Sequence, residues 1–265
     1  MRSFAKLISL LMALAIMVGC LASCNDKNDV PGENQGNNQQ QELQSDKYVA
    51  TINVKFATND DKMKEAVYAL NSSESKLYVD GDKVMLDSST ELEKISVNDN
   101  YVYVDGVLYH STVVVANGKS ASSYEKANMS IENRDKLISD LGTGADIGVG
   151  DFETHEMTSL GDNITYTCSD ISDDAKKSLC DIFASEFAGL GATVQLDSVD
   201  YILATEKDRD VSYTLSCHFS ITMNGATYTI TMHISCTYDY EADVNILAPQ
   251  NTENYTSVSY DKIFN

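Results

Sequence analysis

From Ser212 to Met223 apolar and polar positions alternate without a break. Tyr213, Leu215, Cys217, Phe219, Ile221 and Met223 share one face, and Ser212, Thr214, Ser216, His218, Ser220 and Thr222 share the other. A period of two is the signature of a strand with one face buried. Asn224-Gly225 follows, a pair that tolerates the positive φ of a two-residue hairpin turn. The alternation then resumes, with Tyr228, Ile230, Met232, Ile234, Cys236 and Tyr238 against Thr227, Thr229, Thr231, His233, Ser235 and Thr237. A two-residue turn here pairs Phe219 with Ile230, Cys217 with Met232 and Tyr213 with Cys236. That register keeps every apolar residue on one face, so turn chemistry and hydrophobic pattern agree. It also sets Cys217 and Cys236 about 13 Å apart along the strands at about 3.3 Å per residue. A disulfide tolerates at most about 7 Å between Cα atoms, so the two thiols are predicted to stay unpaired.

Shorter alternating runs rich in Tyr, Thr, Val and Ile predict strands at 48–56, 63–70, 75–80, 83–88, 92–97, 100–104 and 107–116. Asp80-Gly81 and Asp105-Gly106 mark hairpin turns. Two helices interrupt the strands. Ser130 caps a short one through Leu141. Ser172 caps a longer one to about Ala188, with Asp173 and Asp174 in its first turn. Its stripe of Ala175, Leu179, Ile182, Phe183 and Phe187 has helical spacing and reads as a face packed on a sheet.

The N-terminus has a different pattern. Arg2 and Lys6 precede an apolar run from Leu7 to Val18, which small residues and a cysteine follow. This order describes a secretory signal peptide, and the run is shorter than the roughly 20 residues of a spanning helix. Leu21-Ala22-Ser23-Cys24 resembles a bacterial lipobox, which predicts Cys24 as the lipidated residue; Met17-Val18-Gly19-Cys20 is the alternative. Residues 1–23 are therefore read as a lipoprotein signal, 24–47 as the lipidated cysteine with a disordered polar stalk, and 48–265 as a single domain. The stalk is dominated by Asn and Gln, too polar to offset its ordering entropy. As a flexible coil it would hold the domain on the order of 25 Å from the lipid. The predicted address is the extracytoplasmic face of the membrane, with the covalent lipid as the anchor.

Composition narrows the partners. Forty acidic residues stand against 19 basic ones, a net charge of −21 that becomes −23 once Arg2 and Lys6 leave with the signal. Nucleic acid requires clustered Lys and Arg, so it is excluded as a partner class. The remaining cysteines and the four histidines, His110, His155, His218 and His233, lack zinc spacing. No nucleophile elbow, phosphate-cradling loop or EF-hand spacing occurs. The expectation is a protein that is not an enzyme and needs no cofactor or metal.

The order of elements resembles the LolA/LppX-like family of lipoprotein carriers and lipid-binding lipoproteins. A lipobox and stalk lead to a hairpin-rich half containing Tyr101-Val102-Tyr103-Val104-Asp105-Gly106-Val107-Leu108-Tyr109. A helical middle precedes long C-terminal strands, and Tyr238 to Pro249 is similar to the family's closing strand with its Ile-x-x-Pro ending. The resemblance implies a mainly β fold with a few helices: a strongly curved antiparallel half-barrel whose concave apolar face the helices cover. It also implies, as in some members, a cavity for acyl chains. Leu215, Cys217, Phe219, Ile221, Met223, Tyr228, Ile230, Met232 and Ile234 are its candidate walls, since Met and other soft apolar groups repack around variable partners. The same stripe fits a plain core under the helices. Three functions stay open: binding or carrying a lipid or other amphiphile, a surface scaffold or interaction module without a small ligand, and, against the absence of any catalytic signature, an envelope hydrolase.

Overall fold

The computed structural model describes residues 47–61, 64, 67, 73–92, 95–130, 134, 137–138, 141, 147–188, 192–207, 209–223 and 225–264. The expected signal peptide, both candidate lipidation cysteines, Cys24 and Cys20, and most of the expected stalk lie outside the described residues.

The chain forms β1 (Lys47–Thr58), β2 (Ser73–Asp80), β3 (Lys83–Leu92), β4 (Ile95–Val104), β5 (Val107–Ala116) and β6 (Lys119–Asn128). Then come β7 (Phe152–Leu160), β8 (Asn163–Ile171), helix α1 (Asp173–Ala188), β9 (Thr193–Glu206), β10 (Arg209–Met223) and β11 (Ala226–Asp239). A short β12 (Thr256–Ser257) and helix α2 (Tyr260–Ile263) close it. Among the described residues all twelve strands join one sheet in the order β12-β6-β5-β4-β3-β2-β1-β11-β10-β9-β8-β7. β1 lies inside the sheet, with β2 to β6 added one after another on one side and β11 back to β7 on the other. Every pairing is antiparallel except that of β12 with β6.

This overturns the expected half-barrel with helices over its concave face. The sheet is one open, twelve-stranded, mostly antiparallel layer, and the helices do not cover a concave face. Instead α1 packs beside β9 and α2 beside β6. The physical reason lies in strands that the alternation did not reveal. β6 and β7 are exposed along most of their length. With no continuous apolar side, neither end strand gains much by closing onto the other.

Several local expectations hold. β10 and β11 pair Phe219 with Ile230, Cys217 with Met232 and Tyr213 with Cys236, and Gly225 takes φ +77°. Cys217 and Cys236 are free thiols as expected; Cys168 and Cys180, whose pairing the sequence left open, are free as well. Asp105 and Gly106 both adopt positive φ, 51° and 78°, as a type I′ turn demands. At the first hairpin Asp80 pairs with Lys83, so the turn residues are Gly81 and Asp82, one position later than expected. Ser172 caps α1, its Oγ accepting from Ala175 N at 3.4 Å. Within the expected strand at 63–70 the described residues, Lys64 and Val67, are helical. The runs at 92–97 and 100–104 resolve into the end of β3 and one continuous β4.

One large core cluster lies on a single face of the sheet, here called inner. It draws Ile52, Val54 and Phe56 from β1, Leu77 and Leu86 from β2 and β3, and Leu108 from β5. Leu196, Val199 and Leu203 of β9, the apolar stripe of β10 and β11, and Leu179 of α1 complete it. Leu137, Ile138 and Leu141, from the helical residues after β6, enter it too. The side chains of Ile182, Phe183 and Phe187 lie outside the described set.

The resemblance's closing strand ends at Asp239. Residues 242–246 instead lie on the outer face, where Val244 and Ile246 bury Val102 and Val104 in a second, small cluster. The tail then runs along β6, Val258 N donating to Lys126 O at 2.9 Å. It ends on the inner face with Ile263 buried and the Phe264 ring stacked 5.7 Å from Tyr101. Among the described residues no helix is long and apolar enough to cross a membrane.

Candidate functional site

The apolar stripe proposed as a cavity wall sits on one face, as the alternation requires. Cys217 is 0% exposed, Met232 and Ile234 1%, Ile230 2%, Ile221 3%, Phe219 4%, and Leu215 and Met223 7%. Tyr228 is half-buried. A channel wide enough for an acyl chain also admits water, so its lining would be solvent-accessible. These side chains are closed against one another and against β1 and β9, as in a packed interior. Burial pushes the Cys217 and Cys236 thiols up to about 12, so both stay protonated and act as small apolar groups.

A second feature escaped the sequence reading. Register carries the inner face across β2 to β5 as the row Ser75, Ser88, Asp99 and Thr112. Ser75 Oγ donates to Ser88 Oγ at 2.9 Å, and Thr112 Oγ1 donates to Asp99 Oδ1 at 2.6 Å. His110 Nε2 lies 3.3 Å from the same Asp99 oxygen and 3.1 Å from Thr112 Oγ1. The imidazole stacks on Tyr101 at 4.2 Å and 8°, and Tyr101 carries Phe264 on the tail.

This trio resembles a nucleophile–base–acid set in composition but not in geometry. A relay needs one imidazole nitrogen on the carboxylate and the other on the hydroxyl. Here Nε2 faces both, and the threonine proton is already given to Asp99. The arrangement satisfies buried polar groups and anchors the tail. Its signal in the sequence was the inward phase of Leu77, Leu86 and Tyr101, which fixes Ser75, Ser88 and Asp99 on the same side.

The outer face of β10 and β11 is the expected hydroxyl-rich surface. His233 Nδ1 and Ser216 Oγ are 2.9 Å apart, and His218 Nδ1 and Thr231 Oγ1 are 3.0 Å apart. Burial, then the neighbouring His218, holds the His233 imidazole below its ordinary value. Among the described residues no group of three or more His, Cys, Asp or Glu is placed to hold a metal ion.

At one end of the inner face tyrosines gather. Tyr48 meets Tyr238 at 5.8 Å, Tyr201 meets Tyr213 at 6.0 Å, and Arg209 lies 5.4 Å over the Tyr240 ring. The Tyr213 and Tyr238 hydroxyls are buried without a hydrogen-bond partner among the described residues. The Cys236 thiol lies beside Tyr213. Burial raises both phenols well above their ordinary value, so they keep their protons.

No family model and no curated protein matches the sequence. Among solved structures the chain is similar to the ywiB protein from Bacillus subtilis, at 11% identity over 72% of this chain and 92% of that one, with a TM-score of 0.20. A TM-score that low carries no argument about fold or function.

Proposed function

We propose that the protein is a lipid-anchored, non-catalytic interaction module of the cell envelope. Cys24 holds it to the membrane, and its partner meets the surface and edges of the sheet rather than an interior cavity. The supporting observation is the closure of the β10–β11 stripe, which leaves its apolar face to the core and its hydroxyl face to solvent. The lipid-carrier reading needs that stripe to open.

A fluorescent fatty-acyl probe added to the delipidated, natively purified protein separates the two. The module reading expects no saturable binding. Saturable binding that Ile221→Phe and Ile230→Phe abolish without altering melting would replace it with the carrier reading. Intact-mass analysis of the mature N-terminus tests the anchor: Cys24→Ala is expected to prevent acylation and Cys20→Ala to leave it intact.

A further inference from the structure

The two ends of the sheet are guarded very differently. At one, β6 carries Lys119 and Lys126, and the tail covers part of it. β12 pairs alongside Glu125 and Lys126, and Lys126 Nζ donates to Thr252 O at 2.9 Å. At the other, among the described residues, β7 pairs with β8 alone and ends the sheet. Its residues 153–160 are all exposed, Met157 at 61% and Leu160 at 80%. An edge strand offers unpaired N–H and C=O groups to any extended chain, and proteins usually blunt such edges with lysine, proline, bulges or a covering segment. β7 contains neither proline nor lysine, and its pairing with β8 runs in one register from Thr154 to Leu160.

Its charge is one-sided. From Phe152 to Ile171 the hairpin carries Glu153, Glu156, Asp162 and Asp170 and no lysine or arginine. Lys207 sits by the β7–β8 turn, its N–H on Asp162 O, rather than along the edge. The alternation places Glu153 and Glu156 on opposite faces, so a strand laid against β7 meets a carboxylate on each side.

Resting on the interaction-module reading, we propose that β7 is the docking edge for an extended, lysine- or arginine-bearing segment of a partner protein, which adds to the sheet as a further strand. Backbone hydrogen bonds hold such a segment, and its side chains select it. Cations on both faces answer Glu153 and Glu156, and an apolar residue covers Met157. A second copy of this chain fits poorly. Pairing β7 with itself about Glu156 sets like charges directly opposite each other, between two strongly acidic molecules.

The test uses the full mature chain and a fluorescein-labelled peptide of alternating Thr and Val with interspersed Lys; the control has Glu in place of each Lys. Anisotropy is expected to show saturable binding of the Lys peptide, weakened about tenfold by the Glu peptide's charges or by Glu153→Lys with Glu156→Lys, and weakened by salt. Hydrogen exchange is expected to slow at 153–160 and not at 119–124. Absence of binding, or binding without slowed exchange on β7, overturns the proposal. So does β7 protection that rises with protein concentration alone, which would indicate a second copy. Failure of the module reading has its own mark, saturable binding of the fatty-acyl probe. A chain that binds neither probe refutes the docking edge alone.

Discussion

The β10–β11 and β7–β8 hairpins belong to the same sheet and share an antiparallel, tight-turned design, yet they have opposite fates. In the first, β10 alternates buried and less buried residues along most of its length, and Ile230 to Tyr238 of β11 does the same. In the second, β7 is exposed from Glu153 to Leu160. A strand can therefore be held by backbone pairing to one neighbour, without a face to bury, provided the rest of the sheet supplies the core. Stability is concentrated in β10–β11, and availability to a partner in β7.

Truncation should break the symmetry most sharply. Ile230→Ala is expected to cost about 2–5 kcal/mol in chemical denaturation, as deletion of a closed core side chain does. Met157→Ala is expected to stay within about 0.5 kcal/mol, because its side chain is exposed. Equal losses would erase the contrast between the hairpins.

The inner polar row should fall between. Asp99→Ala removes the carboxylate that Thr112 Oγ1 and His110 Nε2 share and is expected to cost about 1.5–3 kcal/mol, with faster exchange at the tail stacked on Tyr101. A neutral result would mean that the row does not anchor the tail.

At the tyrosine end the sign should reverse. Tyr238→Phe removes a buried hydroxyl without a described partner and is expected to leave stability unchanged or raise it by about 1 kcal/mol. A marked loss would reveal that the hydroxyl is satisfied in solution.

The smallest effect concerns pH. His233 binds its proton less readily in the native state than in the unfolded chain. Its contribution is therefore complete above the ordinary value of 6.5 and lost as pH falls from there through the lowered native value. NMR titration of His233 should report a midpoint below 6.5, and His233→Gln should flatten that part of the stability profile.

The same contrast explains what was legible in the sequence. Tyr213 to Met223 and Tyr228 to Tyr238 announce strand, face and register at once, because burial on one side writes a period of two. Lys119–Asn128 and Phe152–Leu160 write no such period, since residues such as Ser120, Ser122, Glu153 and Glu156 meet water on either face. The sheet therefore read as shorter than it is. The turns Asn117-Gly118 and Gly161-Asp162 were the available signals for these hairpins; Asn117, Gly118 and Gly161 take positive φ. The Asp99, His110 and Thr112 cluster was hidden for another reason. Its members are ordinary polar residues whose meeting depends on the register of β4 with β5. The stripe itself was read correctly as one face, but a period of two is the same for a wall and for a core.

Thermal unfolding of Ile230→Phe beside the parent chain tests the closure of the stripe most directly. A packed interior must strain to admit the larger ring, typically losing about 1–3 kcal/mol, and in a domain of this size each kcal/mol lowers Tm by about 2–4 °C. The account predicts a Tm clearly below that of the parent. An unchanged Tm would contradict it, because only a side chain bordering open space accepts that bulk without cost.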